Sequence, residues 1–161
     1  MGQSIYEPVN GKVEIFLPST LGYEKVARNA AAAVAEEMGF SEDRIEDLKT
    51  AVAEVCMNAI EHGNKEDKTT SVTVLLEAGP NQLEVSVKDE GLTPMPAEFP
   101  KPGRPGEDNR GWGMFFIQQL MDKVEVSRLP VGGNQVRMVI YLEPEGGEGG
   151  EGDGKSDTKK E

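Results

Sequence analysis

The sequence has little cysteine: Cys56 is the only one among 161 residues, and it stands inside an apolar run. With one thiol an intrachain disulfide cannot form, and nothing suggests secretion. Long apolar runs are also missing, because no stretch approaches the roughly 18 apolar residues of a membrane span. The start, MGQSIYEPVN, lacks the basic and then apolar pattern of a signal peptide. We therefore expect a cytoplasmic protein without a membrane segment.

Positive charge is scarce as well, since 17 lysines and arginines stand against 29 acids and the formal net charge is −12. Nucleic-acid binding relies on clustered lysine and arginine, so no direct nucleic-acid partner is expected. Residues 145–161 carry −3 of this charge, and the acidity therefore belongs mainly to the rest of the chain. Any anion that the protein binds must be held by local groups.

The length fits one domain with a proper core. We predict an N-terminal extension over residues 1–11, the domain over 12–143, and a disordered acidic, glycine-rich tail over 144–161. Residues 90–110 hold five prolines and three glycines without a sustained period. A loop of this length is unusual in a compact domain and is commonly a lid, which we place at 92–110.

Apolar spacing predicts the order β-α-α-β-β-loop-α-β-β. The predicted strands are 12–18, 71–78, 82–89, 124–129 and 135–143, and the predicted helices are about 20–38, the segment between Ser41 and Gly63, and 111–123. Ser19 or Thr20 is the expected N-cap of the first helix, and Ser41 that of the second. This order favours an α+β fold, a two-layer sandwich with the helices on one face of a mostly antiparallel sheet.

One apolar segment, AVAEVCMNAIEH at 51–62, is interrupted by polar residues at a spacing of four. On a helix Glu54, Asn58 and His62 lie at i, i+4 and i+8, and they form one stripe at the border of the core. Two interpretations are open. Either Glu54 and Asn58 pair with each other or with backbone groups, as polar residues at a helix border usually do, or they face a ligand. A carboxylate can take a proton from a hydroxyl, and an amide oxygen suits Mg²⁺.

Two further segments carry weaker signals. VKDEG at 87–91 puts Asp89 at the end of a strand with Gly91 two residues later, where the backbone can approach a flat ligand closely. RGWGMFF at 110–116 opens a helix with Gly111 and Gly113, whose N–H groups can face an anion, and Arg110 can reach a phosphate. Taken singly, each has a conformational explanation, a turn for the first and a helix start for the second.

In this order the three segments resemble the N box, G1 box, lid and G2 box of the GHKL (Bergerat-fold) ATP-binding family. Within that family, RIEDLKTAVAEVCMNAIEHGNKEDK and GMFFIQQLMDKVEV look like the anti-sigma factor and serine-protein kinase branch, of the anti-sigma-B factor type. The resemblance covers about residues 12–142. It implies the Bergerat ATP-binding fold and the cofactors ATP and Mg²⁺.

The resemblance also implies roles for single residues of the N box. Asn58 matches the amide that coordinates Mg²⁺ at the ATP phosphates. Glu54 matches the acid that acts as general base on the incoming serine hydroxyl. His62 falls on the N-box histidine near the nucleotide, although its place beside the helix end at Gly63 makes a structural role equally compatible.

Roles in the G1 and G2 boxes follow in the same way. Asp89 matches the carboxylate that accepts from the adenine amino group, and Gly91 allows close approach of the base. Gly111 and Gly113 match glycines whose N–H groups hold phosphates, and Arg110 lies near the basic position at the end of the lid. The chain departs from the fuller D-x-G-x-G pattern at its fifth place, which is Thr93.

The resemblance implies a serine-protein kinase that phosphorylates an anti-anti-sigma factor, a STAS-domain antagonist, and that sequesters an RNA polymerase sigma factor as a homodimer. A second possibility is a non-catalytic ATP-binding module of the same fold, which would use the nucleotide only to order the lid for partner switching. A third is a structural domain in which Glu54 and Asn58 satisfy each other. Walker A and G-x-G-x-x-G patterns are missing, which excludes P-loop enzymes and ordinary protein kinases.

Overall fold

A computed structural model describes residues 10–95 and 110–143 of the chain. Within these ranges the elements follow the predicted order. They are β1 (Gly11–Pro18), α1 (Glu24–Met38), α2 (Glu42–Asn58), a π-helical turn (Ala59–Gly63), β2 (Ser71–Ala78), β3 (Gln82–Lys88), α3 (Arg110–Leu120), β4 (Lys123–Arg128) and β5 (Asn134–Tyr141). None of the described helices is long and apolar enough to cross a membrane.

The five strands form one antiparallel sheet in the order β1-β2-β3-β5-β4. The short links GPN at 79–81 and PVGGN at 130–134 connect the β2–β3 and β4–β5 hairpins, while β5 lies beside β3 and leaves β4 at the edge. Val85 lies opposite Leu76 on one side and Met138 on the other. The α+β class, the two layers and the antiparallel sheet are thus confirmed.

The core lies between one face of this sheet and the helices. Alternate residues point inward, so Val72, Val74 and Leu76 of β2 are almost fully buried. Helices α1 and α2 contribute small and β-branched residues, such as Ala31 and Val52, that allow close packing against this surface. The opposite face of the sheet carries mostly polar side chains, with Phe16 of β1 exposed on it, as expected for an antiparallel sheet covered on one side only.

On the polar face Arg137 of β5 bridges two acids on neighbouring strands. Its guanidinium donates to Glu84 of β3 and to Glu125 of β4. The hydrogen bond to Glu84 and the charges of both acids raise the pKa of Arg137 above its usual value. These two pairs connect neighbouring strands and help to hold their register. They lie on the solvent face of the sheet, away from the core.

The first helix begins later than predicted, and its expected caps serve another purpose. Helix α1 starts at Glu24 after a turn, and no side chain caps it at Tyr23. The Ser19 hydroxyl instead donates to the carbonyl oxygen of Thr70 and accepts from Asn64, both at 3.0 Å. Ser19 therefore ties the end of β1 to the segment before β2, a contact between residues far apart in sequence.

The second helix begins as predicted and ends differently. The Ser41 hydroxyl accepts from the Arg44 backbone N–H at 3.3 Å, a regular N-cap. The last turn, Ala59–Gly63, is π-helical, and the Asn64 N–H donates to the Ala59 carbonyl five residues earlier at 2.8 Å. The prediction of one α-helix through His62 was wrong in this turn, because a π-turn holds an extra residue.

Helix α3 is fixed at its C-terminal end by Arg44 of α2. The Arg44 guanidinium donates to the Leu120 carbonyl at 2.9 Å and to Asp47 and Asp122 at 3.0 Å each. It thus satisfies a carbonyl that the helix itself leaves unpaired. This contact at the C-terminal end of α3 therefore also helps to determine where the N-terminal end of α3 lies relative to α2.

Cys56 is a core residue. It is fully buried on α2, and burial raises the pKa of its thiol to about 12, with the negative charge of Glu24 adding to the effect. Glu24 of α1 is also buried, since it is only 8% exposed, and its carboxylate accepts from the Gly22 N–H. At neutral pH the Cys56 thiol stays protonated and unreactive.

Candidate functional site

A narrow cleft lies between helix α2, the start of α3 and the adjoining ends of β3 and β5. Its empty space of about 210 Å³ includes open solvent, and the enclosed part has room for about one water molecule. Apolar side chains form most of the wall, and two polar side chains interrupt it. The lining residues are Val55, Asn58, Ala59, Val87, Asp89, Met95, Met114 and Val136. An apolar wall with few polar groups is typical of a site for a flat organic ligand.

Asp89 is held in the cleft with one of its two carboxylate oxygens already used. Oδ1 accepts from the Gly91 N–H at 2.8 Å, from the Asn134 N–H at 2.9 Å and from the Asn134 side-chain amide at 3.3 Å. Oδ2 accepts no hydrogen bond from the described residues. Every fully buried side-chain nitrogen or oxygen among these residues has a hydrogen-bond partner, so Oδ2 is not fully buried. Oδ2 is therefore accessible and can accept from a ligand, and Asp89 is one of the residues that line the cleft.

Three glycines surround Asp89 at distances that no larger residue allows. A Cβ on Gly63 would overlap Asp89 Oδ2, and one on Gly91 would lie 2.5 Å from the Gly63 carbonyl oxygen. Gly133 has a φ of +100°, and a Cβ there would overlap the Asp89 carbonyl oxygen. The end of the second helix, the turn after β3 and the β4–β5 hairpin therefore meet at this carboxylate.

Asn134 joins Asp89 to the first residues of the predicted lid. It is 2% exposed, and its side-chain amide donates to Asp89 and to the Thr93 carbonyl at 3.0 Å. Its Oδ1 accepts from the Met95 N–H at 3.0 Å and from Arg128 at 3.4 Å. All polar atoms of this buried amide are engaged, so the segment up to Met95 is fixed to β5.

Replacing Asn134 by alanine is expected to lower the free energy of unfolding by about 2–3 kcal/mol, because buried partners lose their hydrogen bonds. Urea unfolding monitored by circular dichroism measures this change. Asn81, exposed in the β2–β3 turn, provides the matched control. Its alanine variant should stay within about 0.5 kcal/mol of the wild type. Equal losses in the two variants would contradict a special role of Asn134.

Asn64 forms a second buried connection at the site. It is 5% exposed, and its amide donates to the Ser19 hydroxyl and to the Ser71 carbonyl, both at 3.0 Å. Its Oδ1 accepts from the Glu90 N–H at 2.7 Å. Asn64 thus fixes the end of the π-helical turn to the residue that follows Asp89. The geometry around Asp89 depends on this contact as well.

Glu54 and Asn58 lie one turn apart on α2, and their side chains are half-buried. Within the described part of the chain, neither side chain takes part in a hydrogen bond or an ion pair. The first of the two interpretations, in which the two residues satisfy each other, therefore finds no support in the geometry. Asn58 lines the cleft, and the Glu54 carboxylate lies against Gly113 of α3.

His62 departs from the predicted stripe. It belongs to the π-helical turn, where residues four apart no longer lie above one another. Its Nε2 lies 3.7 Å from Glu61 Oε2, and it is not among the residues that line the cleft. Its assignment to the nucleotide site stays a prediction.

The remaining predicted residues lie at the two ends of the lid. Gly91 is buried in the turn after β3, and Thr93 contributes its carbonyl to Asn134. Arg110 and Gly111 form the backbone of the first turn of α3, next to Gly113. The interior of the predicted lid, residues 96–109, lies outside the described residues, as do residues 1–9 and the predicted tail 144–161.

Three residues of the site escaped the sequence analysis: Asn64, Gly133 and Asn134. The segment PVGGN is typical of a hairpin turn, which it forms, and a turn by itself explains its glycines. Asn64 followed the predicted end of a helix and needed no further explanation. Their sequence signal was polarity beside a strand or helix end, and their partners Ser19, Glu90 and Asp89 lie 26 to 45 residues away in sequence.

Comparison with known proteins gives a family for this architecture. The family model described as "Histidine kinase-like ATPase domain" matches residues 17–140. The serine-protein kinase RsbW of Bacillus subtilis (strain 168) is 34% identical over 144 residues, which cover 83% of this chain and 87% of the relative. The serine-protein kinase RsbW of Bacillus thuringiensis (strain Al Hakam) is 32% identical over 143 residues, with the same coverage of both chains.

A solved structure gives the same fold. The crystal structure of the RsbU and RsbW domains of a Mycobacterium tuberculosis protein superimposes with a TM-score of 0.57 at 22% sequence identity. The match covers 83% of this chain and 33% of the longer one. At this level of identity the likeness concerns the fold alone.

Proposed function

The chain belongs to the histidine kinase-like ATPase family, on the branch of the RsbW serine-protein kinases, and from this premise we propose that it is an ATP-dependent serine-protein kinase. Its substrate in this proposal is a small anti-anti-sigma factor, a STAS-domain antagonist. The protein also acts as an anti-sigma factor that sequesters a sigma factor of RNA polymerase. The single observation that carries the proposal is a cleft with one oxygen of Asp89 and two polar side chains on α2 that have no hydrogen-bond partner among the described residues.

ATP is bound through its adenine base at Asp89 in this proposal. Oδ1 is occupied by Gly91 and Asn134, so Oδ2 is the oxygen that accepts from the exocyclic amino group. The apolar wall, including Val87 and Met114, covers the faces of the ring. Gly91 keeps the backbone close to the base, and His62 stands near the nucleotide at the end of the helix.

Asn58 is proposed to hold Mg²⁺ together with the ATP phosphates. Its amide oxygen is a hard ligand, and its side chain forms no other hydrogen bond within the described residues. Magnesium usually takes few protein ligands and completes its shell with phosphate and water, so one amide fits its preference. The bound ion would neutralise part of the phosphate charge. The first turn of α3, with Arg110, Gly111 and Gly113, supplies N–H groups and a cation on the phosphate side.

Glu54 is the proposed general base. It takes the proton of the serine hydroxyl as the serine oxygen attacks the γ-phosphorus of ATP. A bond forms between that oxygen and phosphorus while the bond from phosphorus to the bridging oxygen breaks, and ADP leaves. Phosphoryl transfer needs mainly positioning and charge stabilisation, and the rigid α2 helix provides the first of these.

The proposal extends to assembly and location. A homodimer is proposed, and exposed apolar side chains on β1 and around the start of α1 are candidates for its contacts. Phe16 is exposed on the outer face of the sheet and Val13 on the other face. Leu21, Tyr23 and Val26 are exposed before and within the start of α1. Light scattering after gel filtration tests the dimer, which Phe16→Asp should weaken. Sigma factors and their antagonists act in the cytoplasm, so the proposal implies a cytoplasmic protein without direct nucleic-acid or membrane contact.

The function is tested by incubating the full chain with γ-labelled ATP, Mg²⁺ and STAS-domain proteins of the source cell. The expected result is label on a serine of one of them, and its loss when EDTA removes the metal. Stable, metal-dependent ATP binding without transfer would support the non-catalytic partner-switching module instead. No ATP binding by calorimetry would contradict both.

A further inference from the structure

We propose that Gly113 is a positioning residue for Glu54. The resemblance assigns to Gly113 only a phosphate-binding N–H group, as it does to Gly111. In the structure, the space left by the missing side chain of Gly113 holds the Glu54 carboxylate. The inference rests on the proposed function where it calls Glu54 the base, but the contact itself is tested without any activity.

The geometry of this contact is specific. A Cβ on Gly113 would overlap Glu54 Oε1, and it would lie 2.8 Å from Cδ and 3.1 Å from Cγ. Oε1 and Cδ would therefore have to move, and Cγ would be in a tight contact. The Glu54 carboxylate forms no hydrogen bond or ion pair within the described residues, so packing against Gly113 is what limits its position on the α3 side.

The surrounding elements make this contact rigid. Gly113 is the fourth residue of α3, and Met114 beside it is buried in the core. Arg44 fixes the other end of α3 to α2, the helix that carries Glu54. Neither backbone can easily move away, so an added methyl group would have to displace the carboxylate. Glycine at this place is otherwise unfavourable, since alanine is the better helix former.

This arrangement connects the phosphate side of the site to the base. A ligand bound at the first turn of α3 would contact Gly113, the residue that also limits the position of Glu54. A small change in that turn is therefore transmitted to the carboxylate by direct contact. Gly113 would determine where the base stands when the serine arrives, while the N–H groups of α3 would serve binding.

The contact is tested by thermal unfolding of a double-mutant cycle. In the wild-type background Gly113→Ala should shift the Tm to a lower value than the same change does without the Glu54 side chain, because that side chain must move aside. In the Glu54→Ala background the same change should raise the Tm or leave it constant, because the collision is gone and alanine favours the helix. Equal shifts in both backgrounds would overturn the inference. Gly11→Ala, with no atom within 4 Å, is the control and should show no such coupling.

The positioning role is tested by separating turnover from binding. Gly113→Ala should lower kcat by about 10- to 100-fold while the Kd for ATP stays within about 3-fold, because a misplaced base costs rate and not affinity. In the Glu54→Asp background, where the carboxylate is one methylene shorter, the loss should be smaller. Parallel losses of affinity and turnover would overturn the role. If the wild type transfers no phosphate, the proposed kinase activity fails, and the unfolding cycle still decides the contact.

Discussion

Asp89→Asn is expected to weaken ATP binding by about 30- to 150-fold, which corresponds to about 2–3 kcal/mol for a lost hydrogen bond to a charged group. Three donors hold Oδ1, so the carbonyl oxygen of the asparagine must take that place. The NH₂ group then replaces Oδ2 and faces the cleft as a donor. Two donors, this NH₂ group and the adenine amino group, then face each other and cannot form a hydrogen bond. Calorimetric titration with ATP measures the loss.

The same variant should reverse the preference between purines. Inosine triphosphate has a carbonyl oxygen where ATP has the amino group, so the asparagine amide can donate to it. Its affinity relative to ATP should rise in Asp89→Asn. Asp43→Asn, an exposed acid in the first turn of α2, is the matched control and should bind ATP like the wild type. Unchanged ATP affinity in a folded Asp89→Asn protein would exclude this carboxylate as the adenine acceptor.

Glu54→Gln should keep nucleotide binding and lose phosphotransfer. Glutamine has nearly the same shape, so it can occupy the space beside Gly113, but its amide cannot take up the serine proton. The rate of serine phosphorylation should fall by about 10²- to 10⁴-fold, the usual contribution of a general base. The Kd for ATP should stay within about 3-fold. Single-turnover transfer of labelled phosphate, together with calorimetry, measures the two quantities.

Glu61→Gln provides the control for this experiment. Glu61 stands seven residues further along the chain, is exposed, and pairs with His62. Its substitution removes the same charge outside the cleft and should leave the transfer rate unchanged. Undiminished transfer by Glu54→Gln would show that Glu54 is scaffold and that the proton goes elsewhere.

Most of the fold was predictable because its signals are local. Alternation of apolar residues predicted the strands, and Ser41 capped its helix as expected. Where prediction failed, a contact between distant parts of the chain had displaced the local preference. Ser19 had the character of an N-cap but pairs with Thr70 and Asn64. Glu24 is an acid, yet it is buried and its charge acts on Cys56.

The residues of the candidate site also divide into those that the sequence could identify and those that it could not. Glu54, Asn58 and Asp89 could be selected from sequence because polar groups in apolar surroundings are costly and therefore need a reason. The spacing of Glu54 and Asn58 on one helix, and the place of Asp89 at a strand end, could also be predicted from the sequence. Asn64 and Asn134 could not be selected, because each stands where a turn already explains a polar residue. Only the folded chain brings their amides onto the turn after β3.

The sequence by itself determined the class of this protein: an α+β domain of the histidine kinase-like ATPase family, with an acid and an amide one turn apart on a buried helix. Periodicity and residue type carry that information along the chain. Only the tertiary structure decided which oxygen of Asp89 is free, that the last turn of the second helix is π-helical, and that Glu54 rests against Gly113. These depend on contacts between elements that packing alone brings together.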